Sequence, residues 1–257
     1  MTAIAASVAV GLGAGVLAGM FGIGGGVLTT PAVRLLLGYP ALVAVGTPLL
    51  ALIPGALAGA ATHVRSGFAN VRTGLAIGVW GALGALVGAR GSAAAGGTAV
   101  MLVTAVVIVW GAVAIVRRPR TDEDAHGRQE PVRAEPRPFA VVLTGIASGV
   151  YSGFLGLGGG VLLVPILHRY FRYSMKEAVG TSLVAISVLA IPGALAHWWL
   201  GHVDLVLAVG LGAGAVPGAI LGARLASAAS DRGLRVGFAV LLVIVGAVLA
   251  ATEVAAL

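Results

Sequence analysis

The sequence predicts an all-α polytopic membrane protein made of two inverted repeats, each a glycine-broken helix hairpin followed by three transmembrane helices. Three observations predict it. The 257 residues are 59% hydrophobic and only 10% charged, with a mean hydropathy of +1.05, and apolar runs of about 20 residues are long enough to cross a bilayer. The stretch from Gly15 to Pro31 returns from Gly149 to Pro165, and the chain laid on itself at that shift of 134 stays in register from Gly15/Gly149 to Arg90/Arg224, with about a third of positions identical. Composition alone would match roughly a tenth, so this is an internal repeat. Each copy also carries a Gly-x-Gly-Gly-Gly interruption, Gly22 to Gly26 and Gly156 to Gly160, where a helix does not easily continue.

The first apolar run, residues 2–20, meets the first break and resumes over 27–37. The resumed piece is too short to cross alone at 1.5 Å per residue, so a discontinuous helix or a re-entrant hairpin is expected. Residues 41–62 form a long helix carrying Pro48 and Pro54, hence a kinked one. Residues 63–72 read as a polar turn, 73–89 as a third helix closed by Arg90, and 99–116 as a fourth. Residues 117–138 hold prolines and nearly balanced charge and read as a solvated linker. The plan then repeats: 139–155, the second break, 161–171, 178–199, 205–223 and 234–251. The domains are thus 1–116, the linker and 139–257. The start of the chain lacks the basic region of a signal peptide, so the first helix is expected to be retained.

Orientation follows from the basic residues. With an odd number of crossings per half and the linker in the cytoplasm, 14 of the 16 Lys and Arg fall inside; Arg34 and Arg90 stay outside, as the positive-inside rule prefers. Both termini then lie outside the bacterial cytoplasmic membrane. Odd crossing numbers make the halves inverted, a transporter architecture. The net charge of +7 is a topology signal, not a nucleic-acid surface. With no Cys there is no thiolate chemistry, and neither a P-loop nor a Gly-x-Gly-x-x-Gly nucleotide loop is present. None of the nine acidic residues falls in the middle of an apolar run, so a carboxylate proton relay is excluded. No cofactor or metal is implied, and no nucleophile–base–acid set marks an enzyme.

The candidate site is the pair of breaks. Broken helices at corresponding points of two inverted halves present free N–H groups and positive helix ends to an anion. The expected donors are the amides of Gly24, Gly25, Gly26 and Val27, and of Gly158, Gly159, Gly160 and Val161. Gly19 and Gly153 read instead as close helix packing. Thr47 and Thr181 recur in Gly-Thr at the start of the long helix and can either cap a helix or donate to a substrate oxygen. His63 and His197 recur at the end of that helix, as titrating groups or as interfacial anchors beside Trp198 and Trp199. Arg90 and Arg224 recur in Gly-Ala-Arg, as snorkelling helix ends or as attractors at a cavity mouth.

The doubled Gly-x-x-x-Gly-Phe/Leu-Gly-x-Gly-Gly-Gly unit, followed by Gly-Thr-Pro/Ser-Leu and later by Gly-Ala-Arg, resembles the sulfite exporter TauE/SafE family of membrane permeases. The resemblance covers both halves except the linker and the last helix of each. It implies a secondary transporter for sulfite, sulfonates such as sulfoacetate, or other small organic or sulfur-containing anions, with direction left open. An anion channel is the alternative. One departure stands out: Pro48 occupies the place of Ser182 in the second copy. Small-residue faces allow a homodimer.

Overall fold

The structure, a computed structural model, describes residues 2–95, 103, 106, 110–111 and 137–254. The expected linker and nearly all of the expected helix 99–116 lie outside the described residues. The described chain is helical, with no strand: α1 (Thr2–Phe21), α2 (Gly26–Leu35), α3 (Ala41–Arg65), α4 (Val71–Ala95), α5 (Pro138–Leu155), α6 (Gly160–Arg169), α7 (Met175–Trp199), α8 (Leu205–Ala228) and α9 (Asp231–Val254). Six of these, α1, α3, α4, α5, α7 and α8, are long and apolar enough to span a membrane. The protein is a multi-pass membrane protein. Leu57, Leu83, Val87, Leu143, Val209 and Val240 are exposed on its outer faces, where lipid takes the place of water.

Several boundaries move outward from the expected ones. The polar turn expected over 63–72 is shorter: α3 continues to Arg65 and α4 begins at Val71, so His63 is inside a helix. Asn70 sets the start of α4 by accepting the Thr73 N–H on its Oδ1 at 3.1 Å, and Asp204 does the same for α8 through Leu207 N–H at 2.9 Å. α7 begins at Met175 because Ser174 caps it, accepting from Glu177 N–H. Pro48 and Pro54 sit within the single helix α3.

The packing runs between the halves. Among the described residues, α1 meets α8 far more extensively than any helix of its own half, and α4 meets α5 in the same way. Glycine builds both seams. A Cβ on Gly11, Gly15 or Gly19 would strike the backbone of Leu211, Ala215 or Ala219; a Cβ on Gly145, Gly149 or Gly153 would strike that of Ile77, Gly81 or Ala85. Each contact in the first set becomes one in the second when 134 is added to one partner and subtracted from the other, the signature of a two-fold exchange. At the centre, α3 and α7 pack antiparallel: Gly46 near the start of α3 faces His197 at the end of α7, and Gly180 faces His63.

Candidate functional site

α1 stops at Phe21 because Gly22, Gly24 and Gly25 adopt φ of 70°, 75° and 80°; Gly156, Gly158 and Gly159 repeat this at 68°, 79° and 80°. A side chain in that left-handed region is strained, which is why glycine stands there. Gly25 and Gly159 are the N-caps of α2 and α6. The first helical bonds run from Leu28 and Thr29 N–H to Gly25 O, and from Leu162 and Leu163 N–H to Gly159 O. The amides of Gly24, Gly25, Gly26, Val27, Gly158, Gly159, Gly160 and Val161 donate in none of the described backbone bonds, as first-turn groups do.

The two breaks meet at the middle of the molecule. A Cβ on Gly24 would lie 3.4 Å from Gly158 Cα, and one on Gly160 would lie 2.5 Å from Ile23 Cα. Leu52 of α3 and Ile186 of α7 close over them. Gly26 and Gly160 therefore also have a packing reason, since each touches the opposite break. Beside the first break lies a cavity of about 10 Å³ lined by Ala14, Ala18, Gly25, Thr29, Pro48 and Leu52, among others, room for about one water. In this conformation the centre is closed. Two open clefts lie at equivalent positions of the two halves, by the starts of the long helices and away from the breaks, one of about 280 Å³ lined by Ile4, Ser7 and Leu207, the other of about 720 Å³ lined by Pro138, Val141, Thr73, Arg72 and Arg137.

Of the other candidates, only the histidines reach the broken helices. Thr47 and Thr181 are fully buried. Thr47 Oγ1 accepts the Asp204 N–H at 3.0 Å, and Thr181 Oγ1 accepts the Asn70 N–H at 2.9 Å. Each hydroxyl thus holds the turn that opens the other half's third long helix. His63 and His197 are fully buried as well, not interfacial anchors. The Nε2–H of His63 donates to Gly19 O and that of His197 to Gly153 O, both at 2.9 Å. These are carbonyls of the last turn before each break, which the interrupted helix leaves without a backbone donor. His197 Nδ1 is 3.3 Å from His202 Nδ1; with Nε2 donating, a neutral His197 accepts there and His202 donates. Burial pushes the His202 imidazole below its ordinary range. Arg90 and Arg224 are exposed but do not close their helices as expected, since α4 runs on to Ala95 and α8 to Ala228.

Ser182 was named in the sequence only for its departure from Pro48. Its Oγ lies 2.9 Å from Gly22 O and 2.8 Å from Val179 O, so it ties α7 to the first break. No equivalent tie reaches the second break, because proline has no hydroxyl.

Residues 7–249 match the family described as Sulfite exporter TauE/SafE. The chain belongs to the TauE/SafE family. It is 30% identical over 211 residues to the probable membrane transporter protein YdhB of Bacillus subtilis, covering 82% of this chain and 85% of that one. It is 27% identical over 241 residues to YunE of the same organism, 86% of each chain, and 24% identical over 254 residues to the probable membrane transporter protein MJ0441 of Methanocaldococcus jannaschii, 92% of this chain and 91% of the relative. No solved structure gives a significant match. This TauE/SafE chain is a membrane transporter and not an enzyme.

Proposed function

We propose that the chain is a secondary transporter that carries a small anion, sulfite, a sulfonate or a related organic or sulfur-containing anion, across the bacterial cytoplasmic membrane by alternating access. The observation that carries this reading is the meeting of the two breaks, which sets the N-termini of α2 and α6 together at the centre with their first amides unpaired by backbone acceptors. Two helix ends and no carboxylate make a neutral cradle that favours negative charge. The antiparallel packing of α3 on α7 supports inverted repeats, and the distribution of Lys and Arg supports a cytoplasmic linker with both termini outside. The closed centre supports a carrier over an anion channel, since a carrier exposes its site to one side at a time. The Arg72 and Arg137 side of the larger cleft draws anions from the cytoplasm.

The proposed substrate ligands are the amides of Gly24, Gly25, Gly26, Val27, Gly158, Gly159, Gly160 and Val161. Thr47 and Thr181 join them when the breaks part, because each hydroxyl accepts an N–H across the halves and still has a proton to donate. His63 and His197 serve as coupling groups at the ends of the broken helices, and Arg90 and Arg224 as attractors at the mouths.

The test is binding of radiolabelled sulfite, sulfoacetate and sulfate to purified, folded protein, with counterflow in proteoliposomes. Gly25→Ala and Gly159→Ala are expected to abolish binding, since each Cβ meets a φ of 80° as well as its neighbours. Thr47→Val and Thr181→Val are expected to weaken it by about 0.5–1.5 kcal/mol if the lost bond is neutral, more for a charge-assisted one. Wild-type affinity in all four folded variants would falsify the site, and large single-channel currents would favour the channel.

A further inference from the structure

The two breaks are alike in backbone and unlike in what surrounds them. Around Gly25 stand Ala14 and Ala18 of α1. At the equivalent positions of α5 stand Ser148 and Ser152, and a Cβ on Gly159 would lie 3.3 Å from Ser148 O and 3.6 Å from Ser152 Cβ. Both serines have no exposed surface, and both hydroxyl oxygens are buried without a hydrogen-bond partner. They are one helical turn apart, so they share the face of α5 that looks at the start of α6. Tyr151, on the adjoining strip of the same helix, also has a buried hydroxyl without a partner.

Unpaired hydroxyls in an apolar interior are unfavourable, because nothing replaces the water they gave up. A serine mid-helix commonly satisfies itself on the carbonyl one turn back, as Ser187 does on Val184 O. Ser148 and Ser152 do not. Their first-half counterparts show that alanine fits the fold at both places.

We propose that Ser148 and Ser152, with the first amides of α6, form the oxyanion-selective half of the transport site. The ligand class is an anion with several acceptor oxygens on one centre, such as a sulfite or sulfonate group. Two hydroxyls and a helix N-terminus supply several separate donors, which a group with several acceptor oxygens can engage one by one and a halide cannot use equally. In the closed conformation Leu163, whose Cδ1 is 3.8 Å from the Gly159 Cβ position, stands where its counterpart Thr29 lines the small cavity of the first half. The oxyanion displaces that packing when the second half opens. This inference rests on the reading of the breaks as the anion site.

The experiment uses the full chain, purified and reconstituted, with radiolabelled sulfite, sulfoacetate and sulfate as probes and chloride as competitor. Ser148→Ala and Ser152→Ala are each expected to weaken oxyanion binding about 10- to 150-fold, the range of one charge-assisted hydrogen bond. Chloride should then compete better against the remaining binding. The ligand-free melting temperature should stay level or rise, since each variant removes an unpaired buried hydroxyl; a merely structural serine would lower it. Wild-type affinity and selectivity in both serine variants, with binding lost in Gly159→Ala, overturns the serine assignment and keeps the breaks as the site. Wild-type affinity in the serine and the glycine variants alike, or no binding of any probe by the wild type, overturns both.

Discussion

A helix that stops inside a membrane leaves carbonyl groups where no water can reach them. At the first break the Gly19 carbonyl is in that position and the His63 imidazole answers it; at the second, His197 answers Gly153. These histidines are donors placed by α3 and α7 at the ends of α1 and α5, so they join each broken helix to a long helix. Leucine at position 63 would remove the donor and leave the carbonyl buried and unpaired, an effect of about 1–2 kcal/mol once membrane hydrogen-bond strengths are considered. Thermal unfolding of His63→Leu should therefore fall below wild type, while His63→Gln, which retains an N–H donor, should recover part of the loss. Equal melting temperatures for the wild type and His63→Leu would mean that Gly19 O finds another donor.

At the scale of the element, the seams between α1 and α8 and between α4 and α5 depend on glycines four residues apart, which bring backbones close enough for dispersion contacts that lipid does not weaken. Gly13 and Gly15 separate this effect from helix propensity. A Cβ on Gly13 meets nothing within 4 Å, whereas one on Gly15 strikes the backbone of Ala215. Gly13→Ala should leave the melting temperature unchanged or raise it, since alanine is better in a helix by about 1 kcal/mol. Gly15→Ala should lower it by the 1–3 kcal/mol typical of overpacking, or prevent assembly. The two breaks and four of the six span-length helices, α3, α4, α7 and α8, were legible in the sequence as such, because glycine runs and apolar length are local signals. α1 and α5 were expected as hairpin arms, and the expected last crossing, α9, is not among the six. The partner of each seam was not legible, because a small-residue stripe shows that something approaches closely without naming it. These faces, which on sequence alone allowed a homodimer, are occupied within the chain. The candidate site was legible in part. Its glycines announced themselves, but the partner of Thr47 lies 157 residues away, and the unpaired hydroxyls of Ser148 and Ser152 become visible only when their surroundings are known.

For the whole molecule, the arrangement of the seams means that neither half carries a complete core. α1 without α8 exposes its glycine face, and α5 without α4 does the same, so the two repeats fold as one body. In the inverted arrangement proposed above, exchange of the halves combined with antiparallel α3 and α7 puts equivalent loops on opposite sides of the membrane. That placement can be read directly, because the chain has no cysteine of its own. Leu36 and Tyr170 are equivalents at the shift of 134, are 75% and 66% exposed, and follow α2 and α6; Ser66 and Leu200 are equivalents that follow α3 and α7, and both are exposed. Single cysteines at these positions, treated with a membrane-impermeant thiol reagent, should give a crossed pattern. Leu36→Cys and Leu200→Cys should react in intact cells, and Ser66→Cys and Tyr170→Cys only after the membrane is opened. Labelling of Leu36→Cys and Tyr170→Cys from the same side would place the repeats parallel. It would remove the geometric basis for two breaks that face each other across the membrane midplane, and alternating access through their separation would fall with it.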